Sequence, residues 1–108
     1  MGARPDPMVA PLAREDLRSM SRLARRLVSI GIARLAAGQI DASEVRRLIG
    51  SDDWRWIEFA GWAVVFRMLS DIEIVEKGLA QDTLVIQRIV STDAVTRKGA
   101  AVLADIDD

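Results

Sequence analysis

The segment Trp54–Leu69, WRWIEFAGWAVVFRML, constrains the fold of this chain more than any other. Read as a helix it is apolar nearly all round, with Trp54, Trp56, Phe59, Trp62 and Phe66 spread over several faces. A helix that is apolar on every side must be buried on every side. The chain has 108 residues, enough for one domain with a thin core. A monomer then offers little protein to cover such a helix, and self-association is the expected remedy. The apolar positions continue through Ile57, Gly61, Val64, Met68, Ile72, Val75, Leu79 and Ile86, with Ile89 one step on and a polar interruption at Asp82. These steps are mostly of four and three, which predicts a coiled-coil-like seam.

Proline points the same way. Pro5, Pro7 and Pro11 are the only prolines, and the following 97 residues have none, so nothing forbids long helices there. Residues 1–11 read as a flexible tail. A first amphipathic helix is expected from Leu12 to Ala37, with Leu17, Met20, Leu23, Ala24, Leu27, Ile30, Gly31 and Leu35 in one broad apolar arc. Gly38 suits the position just past a helix end. Asp41 followed by Glu44 has the spacing of a capping box and predicts a short helix from Ala42 to Ile49, stopped by Gly50. TLVIQRIV is rich in strand formers, but a lone strand would have no partner, so it too is read as helix. Ser91 or Thr92 would cap a last helix carrying Val95, Val102, Leu103 and Ile106. The expected fold is all-α: an antiparallel helical hairpin or small helical bundle over residues 12–90 that oligomerises through the apolar central helix. Residues 91–108 would be a C-terminal helix or partner-docking tail.

Chemistry is constrained by what is missing. The sequence has no Cys, His or Tyr, which removes thiolate and imidazole metal ligands and the commonest general base. There is no metal-binding loop pattern, phosphate-cradling glycine loop or nucleophile elbow. The chain is therefore expected not to be an enzyme and to carry no cofactor and no metal. Glu58, inside the apolar segment, is expected to be buried and ion-paired with Arg55 or with an arginine of the first helix. The longest apolar run, FAGWAVVF, has eight residues, far short of the about 20 that cross a bilayer. No secretory leader is recognisable in the first eleven residues, so a cytoplasmic location and no membrane contact are expected.

Charge is split between the halves. Residues 1–50 hold nine arginines and five acids, and residues 51–108 hold six basic and eleven acidic residues. Arg14, Arg18, Arg22 and Arg25, widened by Arg26, fall at helical spacing and form a ridge that suits rows of phosphates or carboxylates. No aromatic residue accompanies them, so any nucleic-acid contact would be weak, non-specific and directed at the backbone. Trp54, Ile57, Gly61, Trp62, Val64, Phe66, Met68 and Ile72 are the candidate oligomer interface.

With its basic helix, its turn GQIDASE and the apolar segment WRWIEFAGWAVVFRML, the layout from Leu12 to about Val90 resembles the oligomerisation hairpin of small terminase subunits from tailed phages or phage-derived particles. That resemblance implies a homo-oligomeric ring that helps deliver DNA to a packaging motor, with a C-terminal segment docking on a larger motor subunit. Only a short tail precedes Leu12, where that family usually carries a helix-turn-helix domain, so sequence-specific recognition of DNA is not implied. The competing reading from the same residues is a dimeric helical protein-binding regulator with no nucleic-acid role.

Overall fold

Trp54–Leu69 is not a helix. In the computed structural model, which describes residues 5–104, this segment is mostly a hairpin of two strands at the centre of a five-stranded sheet. The elements are, in order, β1 (Met8–Val9), α1 (Pro11–Arg18), α2 (Arg22–Ala36), a 3₁₀ turn (Ala42–Glu44), β2 (Arg46–Arg47), β3 (Arg55–Phe59), β4 (Trp62–Met68), α3 (Asp71–Lys77), β5 (Leu84–Ser91), α4 (Thr92–Lys98) and a 3₁₀ helix (Gly99–Leu103). The sheet order is β1-β5-β4-β3-β2. Only the β1–β5 pair is parallel. The fold is mixed α/β, and the all-α expectation is overturned.

The cause lies in the central hairpin. Ala60 and Gly61 both take positive φ, 54° and 85°, as a two-residue I′ turn requires, and Phe59 pairs with Trp62 across it. Ile57, Phe59, Trp62, Val64 and Phe66 join the apolar cluster on one face of the sheet, and Trp54, Trp56, Ala63 and Val65 join the cluster on the other. A strand covered on both faces is apolar at nearly every position. It therefore reads like a helix buried on every side.

TLVIQRIV is strand as well, and it has partners on both sides, β1 and β4. Its register against β4 steps from Val65↔Arg88 to Phe66↔Ile86, so Gln87 is the extra residue of a bulge. Ile86 and Ile89 consequently face the same cluster although they are three apart, and three is also a helical spacing. The predicted seam from Ile57 to Ile89 is thus a run of strand and helix positions belonging to two different layers.

The predicted helix Leu12–Ala37 is two helices. The Ser19 hydroxyl donates to the Glu15 carbonyl, and the Ser21 hydroxyl accepts from the Ala24 N–H. This local bonding closes α1 and opens α2, while Met20 between them is buried. Gly38, at φ 74°, follows α2. The predicted helix Ala42–Ile49 is only the 3₁₀ turn followed by the edge strand β2. Asp41 caps it through the Ser43 N–H, which holds the Asp41 carboxyl below its usual range.

α1 and α2 cover the sheet face that carries Ile57, Val64, Phe66, Leu84, Ile86 and Ile89. Leu48, α4 and the 3₁₀ helix cover the opposite face through Val95 and Val102. One largely buried ion pair ties the layers together. Asp16 of α1 accepts from Arg88 Nε at 2.9 Å, from Arg88 Nη2 at 3.1 Å and from the Ile89 backbone N–H at 2.8 Å. Arg88 Nη1 also donates to the Val102 carbonyl at 2.7 Å. The Asp16 carboxylate thus satisfies a β5 amide beyond the end of two-residue β1. Of the segments expected at the termini, residues 1–4 and 105–108 lie outside the described residues.

Candidate protein-docking face

α2 is the longest helix, and it has two adjacent apolar rows. Val28, Gly31, Ile32 and Leu35 are buried against the sheet. Leu23, Leu27 and Ile30, one turn-row to the side, remain 66%, 43% and 52% exposed. The predicted apolar arc included these three beside the buried residues. The fold covers the neighbouring row instead, because Gly31 lets α2 approach Phe59 so closely that a Cβ there would lie 2.3 Å from the ring. The spacing 23, 27, 30 makes a continuous ridge along one side of the helix. Fully burying a large aliphatic side chain is worth about 1.5–3 kcal/mol, and a partner covering this row would gain the part that the fold leaves exposed.

The predicted arginine ridge is divided between two helices. Arg14 and Arg18 lie on α1, and Arg18 is ion-paired with Glu15. Arg22, Arg25 and Arg26 lie on the first turns of α2, all exposed. Arg22 and Arg26 run beside the Leu23–Leu27–Ile30 ridge on its solvent side, and Arg34 extends that ridge by one more turn. The structure therefore joins the cationic residues read from the sequence to an apolar row that was not read as a surface.

The predicted oligomer-interface residues are distributed differently. Ile57, Val64 and Phe66 are buried in the chain's own core. Trp54 and Trp62 are half-buried against the two clusters. Gly61 is the exposed tip of the hairpin, Met68 is exposed at the end of β4, and Ile72 is exposed on α3. The surplus of apolar surface that demanded a ring is therefore absent from this segment. Glu58, expected to be buried, is exposed on β3.

The tryptophans sit under cations. The Arg46 guanidinium lies 5.7 Å from the Trp56 ring centre and that of Arg67 lies 5.2 Å from Trp54, both within cation–π range. Arg67 also makes two 2.7 Å bonds to Glu73. Glu73 closes a capping box with Ser70 at the start of α3. Arg67 and the Ser70 N–H hold the Glu73 carboxyl at about 2. The Ser70-x-x-Glu73 spacing is legible in the sequence as a capping box but was not among the predicted caps. On α3, Ile72 and Val75 are exposed between Asp71 and Glu76, around a surface hollow of about 390 Å³.

No protein-family model and no curated protein matches the chain. Among solved structures, the fold is similar to a chain of the RelB–RelE antitoxin–toxin complex from Methanococcus jannaschii. The TM-score is 0.56 at 11% identity, over 84% of this chain and 96% of that one. At such identity the likeness shows the fold alone. It removes the small-terminase resemblance and with it the DNA-packaging reading. The segment that carried that resemblance is a β-hairpin, and the structural neighbour comes from an antitoxin–toxin pair. No helix among the described residues is long and apolar enough to cross a membrane.

Proposed function

We propose that this chain is a protein-binding regulator that performs no chemistry of its own and acts by docking a protein partner on α2. One observation carries the reading: Leu23, Leu27 and Ile30 form a ridge that the chain's own fold leaves uncovered, and exposed apolar ridges of this kind mark interaction surfaces. Two facts support it. The sequence lacks His, Cys and Tyr, which removes the commonest general base and the thiol nucleophile. The similar solved structure is itself a complex of two proteins.

The test is a photo-crosslinking amino acid placed at Ile30 in the full chain, expressed in its own host. The control carries the same group at exposed Asp82, before β5. The expected result is one discrete protein adduct from position 30, absent from position 82 and lost when Leu27→Glu is added. No adduct from position 30, or the same adducts from both positions, would overturn the proposal.

A further inference from the structure

α2 holds four arginines, Arg22, Arg25, Arg26 and Arg34, and no acidic residue. Three of them crowd its first five residues. That end of a helix already carries partial positive charge from its unpaired N–H groups, so cations there oppose the helix dipole. Ser21 caps the end, but no acidic side chain offsets the charge. Arg18, Arg47, Arg67, Arg88 and Arg97 make ion pairs. Arg25 donates to the Met20 carbonyl at 3.3 Å. Arg22, Arg26 and Arg34 have no carboxylate partner within the described chain. A local arrangement that works against its own helix signals a constraint from outside the fold.

Building on the protein-binding reading, we infer that the occupant of the α2 ridge is an acidic amphipathic helix of the partner protein. Its apolar residues would recur at steps of three and four, and its Asp and Glu side chains would cluster over Arg22 and Arg26. Each part follows from the surface. The Leu23–Leu27–Ile30 ridge runs along the i, i+4, i+7 line, which packs into the groove of another helix. Arg22 and Arg26 flank that ridge, Arg34 continues it, and all three call for carboxylates, which they bind in bidentate fashion. A nucleic acid could answer the arginines but would leave three aliphatic side chains in water, and α1 and α2 offer no aromatic face to a base. From Leu23 to Arg34 the ridge spans about 17 Å, so about three turns of partner helix cover it.

The test uses three synthetic peptides of about 18 residues. The first is a Leu/Glu amphipathic helix. The second carries Lys in place of Glu, and the third is the acidic peptide broken by a central Pro. Each is titrated by fluorescence anisotropy against the full chain, with a DNA duplex as a fourth probe. The acidic helix is expected to bind about tenfold or more tighter than the other peptides, and about fivefold or more weaker on raising salt from about 50 to about 300 mM. Arg22→Glu/Arg26→Glu/Arg34→Glu should invert the preference toward the Lys peptide, which also shows that the variant is folded. Leu27→Glu should abolish binding with an unchanged circular dichroism spectrum. Equal affinity for the three peptides, no inversion, or DNA binding tighter than the acidic helix would overturn the inference. If position 30 still crosslinks a protein in cells while the peptides do not discriminate, protein binding stands and the acidic helix falls. If position 30 crosslinks nothing, the underlying reading falls whatever the peptides do.

Discussion

Gly31 shows how one residue can decide which side of α2 becomes surface. In an open helix, Gly→Ala stabilises by about 1 kcal/mol. Here a Cβ would lie 2.3 Å from Phe59 Cγ and 2.5–2.6 Å from both Cδ atoms, near the root of the ring, where a rotamer change gives little room. Overpacking of this kind costs about 1–3 kcal/mol. Gly31→Ala is therefore expected to lower stability by about 1–2 kcal/mol in urea unfolding, and Phe59→Leu added to it should recover part of the loss. A stabilised Gly31→Ala would refute the close approach. Glu73 gives a second test at this scale. Its carboxyl is depressed from 4.5 to about 2, first by the Arg67 side chain and next by the Ser70 N–H. The folded value lies below the unfolded one, so its contribution is complete above pH 4.5 and fades as pH falls toward about 2. Glu73→Gln should be less stable than the parent chain near neutral pH, with the difference closing through that window. A difference that stays constant from neutral pH to pH 2 would mean the Arg67–Glu73 contact contributes nothing.

At the scale of elements, the β3–β4 hairpin turns on Ala60, a non-glycine residue at φ 54°. Left-handed backbone costs an ordinary L-residue about 1–2 kcal/mol, and Asn tolerates it better. Ala60→Asn, which creates the favoured Asn-Gly turn, should raise stability by about 0.5–1 kcal/mol, read from the urea midpoint. A destabilised Ala60→Asn would mean that the turn is not of this kind. This turn also marks the limit of what the sequence discloses. Local punctuation was legible: Gly38 after α2 and Ser91 before α4 act through their own backbone and immediate neighbours. The choice between helix and strand was not legible, because Trp54–Leu69 is apolar toward two covered faces at once and contains no Asn-Gly or Pro to betray the turn. The bulge at Gln87 then set Ile86 and Ile89 at a helical interval. Nor could a helical wheel show which of α2's two apolar rows the sheet would cover. The arginines of the candidate face were visible for the opposite reason, since charge needs no tertiary context to be counted.

For the whole molecule, the fold leaves two routes to self-association, and they respond to salt in opposite ways. Two copies meeting ridge to ridge through α2 would bury Leu23, Leu27 and Ile30 but bring Arg22, Arg26 and Arg34 of each copy together. That repulsion weakens once salt screens it. Alternatively, α2 of one copy could meet α3 of the next, where Ile72 and Val75 stand exposed between Asp71 and Glu76. That contact is charge-complementary and weakens with salt. It is also head-to-tail, so it would grow into rings or open chains rather than stop at a dimer. Geometry disfavours it, because α3 has seven residues and two exposed aliphatic side chains to set against a ridge about three turns long. The apolar hairpin is committed to the chain's own core. The chain is therefore expected to be a monomer at about 10 μM and low salt, moving at most to a weak dimer at about 0.5 M salt, where the Debye length falls to a few ångströms. Leu27→Glu should abolish that dimer. Light scattering across the salt series decides between the routes. Large species at low salt that dissolve as salt rises, and that Glu76→Lys eliminates, would show that a second copy's α3 occupies the α2 face and would remove the need for a foreign helix there.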